Sequence, residues 1–144
     1  MLRDKIYIAS DHAGFELKEK ICTYLKEKNI IYDDLGTNNN SSCDYPDFAH
    51  LLANKIDENS FGILICGSGI GISIAANRHK NIRCALCNEG LSAKLSRQHN
   101  DANVLAMGGR MIGFEQALNL IDIFINTKFD GKRHIDRIKK IEEF

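Results

Sequence analysis

The sequence has no excess of charge of either sign. Its 144 residues include 19 Lys and Arg against 19 Asp and Glu, so the formal net charge is zero. A neutral chain offers no basic face for nucleic acid or for an anionic membrane, and we expect neither as a partner. No apolar run is long enough to span a membrane, and the first residues lack the apolar region of a signal peptide. We therefore expect a cytoplasmic protein.

The sequence also lacks the cysteine pattern of a disulfide-stabilised protein. The five cysteines are scattered and odd in number, which favours free thiols in a reducing cytosol over a disulfide framework. Cys84 and Cys87 form the only C-x-x-C pair, but they lie in a predicted strand, where residues three apart point to opposite faces. This geometry does not favour a chelate or a redox pair. The sequence predicts no metal site and no cofactor.

The most informative stretch is a strand, a glycine loop and a helix in succession. Residues 61–66 form a short apolar run rich in β-branched side chains, which is typical of a strand buried on both faces. Gly67, Gly69 and Gly71 then alternate through a turn, and apolar residues resume at helical spacing. Such a loop leaves backbone N–H groups unpaired at a helix N-terminus, where they form a donor site for an anion. Cys66 ends the strand and faces this positive end, which favours its thiolate.

Three familiar phosphate-binding motifs do not match this loop. A P-loop has Lys and Ser or Thr after its last glycine, whereas Ile72 follows Gly71. The Gly-x-Gly-x-Gly spacing is not the dinucleotide fingerprint, and the arginine of a cysteine-dependent phosphatase is absent before Arg78. The loop therefore indicates a thiol beside an anion site. The alternative is a buried strand-end cysteine next to a tight turn.

Strands and helices alternate along the whole chain without repeats or linkers. The patterns predict strands over residues 5–10, 29–33, 61–66, 83–87 and 104–107, and helices over about 15–28, 44–58, 70–78, 90–98, 113–126 and 132–143. We expect one domain over residues 1–144, an α/β fold with a three-layer, doubly wound, Rossmann-like five-stranded parallel sheet and a C-terminal helix. The commoner strand order for five is 2-1-3-4-5, with a switch point between strands one and three. This order brings Asp11 and His12 beside Cys66 and Ser68.

Further polar residues could serve a site or the surface. Asp11 could cap a helix, leaving His12 exposed. His99 stands in a dense polar cluster at residues 97–101, which could equally be a solvated helix end. Arg133 and Arg137 are four apart on one helix face, a spacing that suits a phosphate clamp or plain surface charge. Arg110 could add a third cation, whereas surface placement is the default for the remaining histidines, which are His50, His79 and His134.

Several of these blocks together resemble one enzyme family. They are Asp11-His12-Ala-Gly-Phe, Asp44-Tyr45-Pro46, the run from Cys66 to Asn77, Ser96-Arg97-Gln98-His99-Asn100-Asp101-Ala-Asn103-Val, and Gly109-Arg110. The sequence is similar, nearly from end to end, to ribose-5-phosphate isomerase type B, a family that includes the galactose-6-phosphate isomerase subunits. The resemblance implies isomerisation of ribose 5-phosphate and ribulose 5-phosphate through a cis-enediolate, without metal or cofactor, in the non-oxidative pentose phosphate pathway.

The resemblance also implies a role for each candidate residue. Cys66 would move the proton between C1 and C2. The Ser68 hydroxyl and the loop amides would hold the enediolate oxygens, the loop residues being Gly67, Ser68, Gly69, Ile70 and Gly71. His99, with Asp11, would open the furanose ring. Asn100 would bind sugar hydroxyls, and four residues would bind the phosphate, namely His12, Arg110, Arg133 and Arg137.

The resemblance implies a homo-oligomer, a dimer or tetramer, in which each site is completed by a neighbouring subunit. The substrate would be a small sugar phosphate. The nearest alternative is the same chemistry on galactose 6-phosphate or allose 6-phosphate. From a different class, the chain could be a non-catalytic sugar-phosphate binder or a flavodoxin-like regulatory module. An intact thiol, His99 and three arginines favour the enzyme.

Overall fold

The computed structural model describes all 144 residues and shows a parallel five-stranded sheet between two layers of helices. The strands are β1 (Lys5–Ser10), β2 (Tyr32–Asp34), β3 (Ser60–Cys66), β4 (Cys84–Leu86) and β5 (Val104–Gly108). The helices are α1 (Phe15–Glu27), α2 (Tyr45–Ala53), α3 (Ile70–Ala76), α4 (Gly90–Asn100), α5 (Phe114–Asn126) and α6 (Arg133–Glu142), and a short 3-10 turn (His12–Gly14) precedes α1. The predicted α/β class, parallel sheet and C-terminal helix are confirmed.

The predicted strand order 2-1-3-4-5 is wrong at its last two positions. The sheet runs β2-β1-β3-β5-β4, so β5 lies beside β3 and β4 is the edge strand. All five residues of β5 are buried, whereas the three residues of β4 are only partly buried. The more apolar strand takes the inner position because burying it removes more apolar surface from water.

The corrected order decides which helices share a face. After β3, helix α3 carries the chain past the position of β5 to β4, and helix α4 then returns it to β5. Because both crossovers are right-handed and run in opposite directions, α3 and α4 lie on opposite faces of the sheet. One core accordingly packs α1, α4 and α5 against the sheet. The other core packs α2 and α3. Phe61, Ile63 and Ile65 of β3 point to the first core, and Leu64 and Cys66 to the second.

Helix α2 ends earlier than predicted, at Ala53 rather than near residue 58. The Asp57 side chain accepts hydrogen bonds from the Asn59 amide at 2.9 Å and from the Ser60 hydroxyl at 2.8 Å. This local turn competes with helix continuation and delivers the chain directly into β3.

The edge strand β4 is bound on its outer side by one side chain. Asn77, just after α3, donates from Nδ2 to the Cys84 carbonyl at 2.9 Å. Its Oδ1 accepts from the Cys84 amide at 2.8 Å. The loop between α3 and β4 is thereby fixed to the sheet. None of the six helices is long and apolar enough to cross a membrane.

Candidate functional site

The carboxyl ends of β1, β3 and β5 meet at one edge of the sheet and are tied together by backbone hydrogen bonds. The Asp11 amide donates to the Ile65 carbonyl at 3.2 Å, and the Gly109 amide donates to the Cys66 carbonyl at 2.8 Å. The Arg110 amide donates to the Gly67 carbonyl at 3.0 Å. Three chain segments distant in sequence are therefore held in a fixed relation around the glycine loop.

Cys66 lies at the centre of this arrangement. Its side chain is 4% exposed, and Sγ accepts a hydrogen bond from the Gly69 amide at 3.1 Å. The Ser68 hydroxyl oxygen accepts from the Ile70 amide at 3.2 Å. The amides of Gly67 and Ser68 donate to no group of the chain. The loop thus presents a thiol, a hydroxyl and two free N–H donors together.

The conformation of the loop depends on Gly69 and on the space beside Gly71. Gly69 has φ +78°, and a Cβ there would lie 2.8 Å from the backbone carbon of Met107. The Tyr45 ring packs so close to Gly71 that no side chain would fit between them. A side chain at either position would displace the loop that holds the Cys66 sulfur.

Asp11 and His12 end β1 beside this loop. One carboxylate oxygen of Asp11, Oδ1, accepts from the amides of Ala13 at 3.0 Å and Gly14 at 3.2 Å, so Asp11 acts as a cap. His12 Nδ1 accepts from the Cys43 amide at 3.2 Å. The neutral ring therefore carries its proton on Nε2 and offers a donor on that side.

A cavity of about 420 Å³ opens beside these residues. His12 and Arg110 line it together with Lys20, an exposed residue in the second turn of α1. The Arg110 guanidinium also reaches the loop, since a Cβ on Gly67 would lie 3.6 Å from its Nη1. Two cationic side chains and an imidazole N–H donor suit a phosphate group.

Sequence reasoning missed Lys20 and the Tyr45 packing. A signal for Lys20 existed, because His12, Glu16 and Lys20 follow one another at intervals of four and so share one helix face. The contact between Tyr45 and Gly71 joins α2 to α3 and has no counterpart in the local sequence pattern.

The remaining predicted residues lie at the opposite end of the sheet, where the parallel strands begin. Helix α4 ends at Asn100, whose carbonyl accepts a hydrogen bond from Arg83 Nε at 2.9 Å. Arg83 is the residue just before β4. The adjacent Asp101 lies 3.9 Å from Arg3, which precedes β1. Strand β3, from Ser60 to Cys66, covers six steps of about 3.3 Å, so the two edges are roughly 20 Å apart. Within one chain, His99 and Asn100 are therefore separated from Cys66 and from Asp11.

Helix α6 adds its arginines to this second edge. Its first turn packs on the end of α4, with the rings of His99 and His134 stacked at a centroid distance of 4.5 Å. Arg133 and Arg137 are exposed beside them. The expected surface placement of His134 is wrong, because its side chain is only 7% exposed. Burial and the charges of His99, Arg133 and Arg137 lower the pKa of His134.

The other thiols show no sign of chemistry. All five cysteines are free. Burial raises the pKa of Cys22 to about 12 and raises the pKa values of Cys84 and Cys87, which keeps these three thiols protonated.

An exposed apolar surface lies next to the glycine loop. Ile70 and Ile74, one turn apart on α3, are 53% and 55% exposed, and Tyr45 and Leu51 of α2 are exposed nearby. Such a patch on an otherwise polar surface is typical of a contact between proteins.

A family model and relatives of known sequence match nearly the whole chain. Residues 6–141 match the family model described as Ribose/Galactose Isomerase. Ribose-5-phosphate isomerase B of Escherichia coli is 45% identical over 139 residues, covering 95% of this chain and 93% of the relative.

Solved structures of relatives have the same fold. The crystal structure of a Thermotoga maritima ribose 5-phosphate isomerase superposes with a TM-score of 0.95 at 53% identity, over 97% of this chain and 98% of that one. The Mycoplasma genitalium ribose-5-phosphate isomerase B, with bound ribulose-5-phosphate, superposes with a TM-score of 0.92 at 42% identity, over 96% and 94% of the two chains.

Proposed function

Because the chain belongs to the ribose/galactose isomerase family and is an isomerase, we propose that it interconverts ribose 5-phosphate and ribulose 5-phosphate through a cis-enediolate. The observation that carries this proposal is the Cys66 thiol held beside two free loop amides. A base next to preorganised N–H donors suits abstraction of a proton α to a carbonyl.

In this proposal Cys66 is the base. The thiolate removes the proton from C2 of the open-chain aldose, and the electron pair moves through C2–C1 to the carbonyl oxygen, giving the enediolate. The C2 hydroxyl passes its proton to the C1 oxygen, and Cys66 returns a proton to C1, which leaves a hydroxyl at C1 and the carbonyl at C2. Negative charge on the enediolate oxygens is stabilised by the amides of Gly67 and Ser68 and by the Ser68 hydroxyl. These donors supply the charge stabilisation, so the proposed mechanism uses no metal ion or cofactor.

The phosphate is placed in the cavity beside the loop. His12 donates from Nε2, and Arg110 reaches both this cavity and Gly67. A phosphate there is anchored a few ångströms from the glycine loop, which positions the sugar carbons over Cys66.

A second subunit completes the site. His99, Asn100, Arg133 and Arg137 lie at the end of the strands opposite to Cys66, and the two ends are roughly 20 Å apart. They serve this chemistry only if another copy brings that end to the loop. The exposed Ile70 and Ile74 beside the loop provide an apolar contact for such a copy. We therefore propose a homo-oligomer, a dimer or a pair of dimers. His99 of the second subunit opens the furanose ring, Asn100 binds hydroxyls, and Arg133 and Arg137 bind the phosphate.

The proposal is tested by turnover of ribose 5-phosphate by the purified chain in excess chelator. Cys66→Ala should abolish turnover and leave sugar-phosphate binding nearly intact, because the base acts on the transition state. Cys22→Ala is the matched control, since it removes another buried thiol that packs in the core on the other face of the sheet. Turnover retained in Cys66→Ala would reject the assigned base. Turnover of galactose 6-phosphate or allose 6-phosphate alone would reject the five-carbon substrate, and binding without any turnover would indicate a binding protein.

A further inference from the structure

We propose that His134 is a positioning residue that holds the His99 ring in the orientation required for sugar ring opening. This inference rests on the proposed function and assigns a role to a side chain that the mechanism above leaves unused. It is carried by the stacked pair at the junction of α4 and α6.

The geometry of the pair is that of a supported ring. The two imidazoles lie 4.5 Å apart between centroids and within 14° of parallel. His134 is 7% exposed and therefore fixed by its surroundings, whereas His99 is only partly buried in the last turn of α4. The two elements are tied by the Asp130 amide, which donates to the Gln98 carbonyl at 3.0 Å. The buried ring thus limits the rotation of the more exposed one.

The charges around His134 favour an uncharged ring. Burial opposes its protonation, as do the nearby charges of His99, Arg133 and Arg137, and only Asp130 favours it. Two imidazolium ions at this distance would repel each other. A neutral His134 can stack on His99 whether or not His99 carries the proton that it transfers to the ring oxygen.

The same cluster does not suit a metal ion. His99, Asp130 and His134 each offer a donor atom, and these atoms lie within 4.8 Å of one another. However, nearly parallel rings do not direct their in-plane lone pairs to one point. Arg133 and Arg137 also add positive charge beside His134.

A positioning role affects one step of the reaction and not the other. Ribose 5-phosphate is mainly cyclic and needs proton transfer at the ring oxygen, so the orientation of His99 matters. Ribulose 5-phosphate cannot form a furanose because its 5-hydroxyl is phosphorylated. Exchange of its C1 proton with solvent requires only the Cys66 step. The two readouts therefore separate ring opening from enediolate formation.

The test compares His134→Leu and His134→Phe with the unaltered protein. Turnover of ribose 5-phosphate and deuterium uptake at C1 of ribulose 5-phosphate in D₂O are both measured. Leu removes the flat stacking partner, and we expect a loss of about 10- to 100-fold in turnover with exchange nearly unchanged. Phe keeps a flat ring and should retain most of both activities. His50→Leu is the control, because it removes a histidine from another ring pair, formed with His79.

Each outcome decides the inference. Equal losses in both readouts for His134→Leu would overturn it, since displaced phosphate arginines on α6 would slow both steps. Unchanged turnover in His134→Leu would overturn it as well. If His134→Leu does not fold, a loss of turnover in His134→Phe as large as in His99→Ala would reject stacking as the cause. Failure of the proposed function itself is distinguishable, because the unaltered protein would then show neither turnover nor exchange.

Discussion

Mixing two inactive variants should restore activity, because Cys66 and His99 of one chain lie at opposite edges of its sheet. In the proposed homodimer, Cys66→Ala and His99→Ala each leave two defective sites. In a mixed dimer, one site combines the intact Cys66 of one chain with the intact His99 of the other. The second site lacks both groups. After free exchange at equal amounts, about half of the dimers are mixed, so about one quarter of all sites are intact.

The assay is turnover of ribose 5-phosphate before and after subunit exchange, with different affinity tags on the two variants to measure the mixed fraction. The double variant Cys66→Ala/His99→Ala provides the matched control. When this double variant is mixed with an equal amount of the unaltered chain, a mixed dimer contains no intact site. Activity should therefore fall to about one quarter of that of the same total amount of unaltered chain. A site contained in one chain would instead leave about one half. Verified exchange without recovery in the first mixture would refute the shared site.

Three further predictions concern stability. Lys18→Ala should destabilise the fold by about 3 kcal/mol in chemical denaturation, because the side chain is fully buried and paired with Asp34 at 2.5 Å; a loss below about 1 kcal/mol would contradict this. Gly69→Ala should cost about 2 kcal/mol and lower turnover, since φ is +78°; an unchanged melting temperature would contradict it. Because the pKa of His134 is lowered on folding, the unfolded chain binds more protons below about pH 6.5. Stability should therefore fall as the pH drops through that region, and less so in His134→Phe.

The elements with strong local patterns could be predicted from the sequence. The run before Cys66 is apolar on both faces, and the glycines after it need a turn, so strand, loop and helix follow from neighbouring residues. The sequence also predicts that Asp11 and Cys66 lie together, because β1 and β3 are adjacent in both the predicted and the observed order. These features depend on local sequence and on one common topology.

The features that the sequence did not reveal depend on contacts between distant elements. The exchange of β4 and β5 is decided by how completely each strand is buried against the helices. The burial of His134 arises where α6 docks on the end of α4. The separation of His99 from Cys66 follows from the direction of α4, which carries its last turn to the far edge of the sheet. Periodicity within a helix contains no information on any of these placements.

The bonds from Asn77 to Cys84 have a consequence for the behaviour of the protein in concentrated solution. A sheet edge presents unpaired N–H and C=O groups on which another chain can add a strand. At Cys84 both outward groups are already occupied by one carboxamide, which donates and accepts as a neighbouring strand would. The side chain thus acts as a one-residue substitute for a sixth strand and blocks intermolecular sheet growth at that point. Asn77→Asp would keep the acceptor and lose the donor, reopening half of this protection.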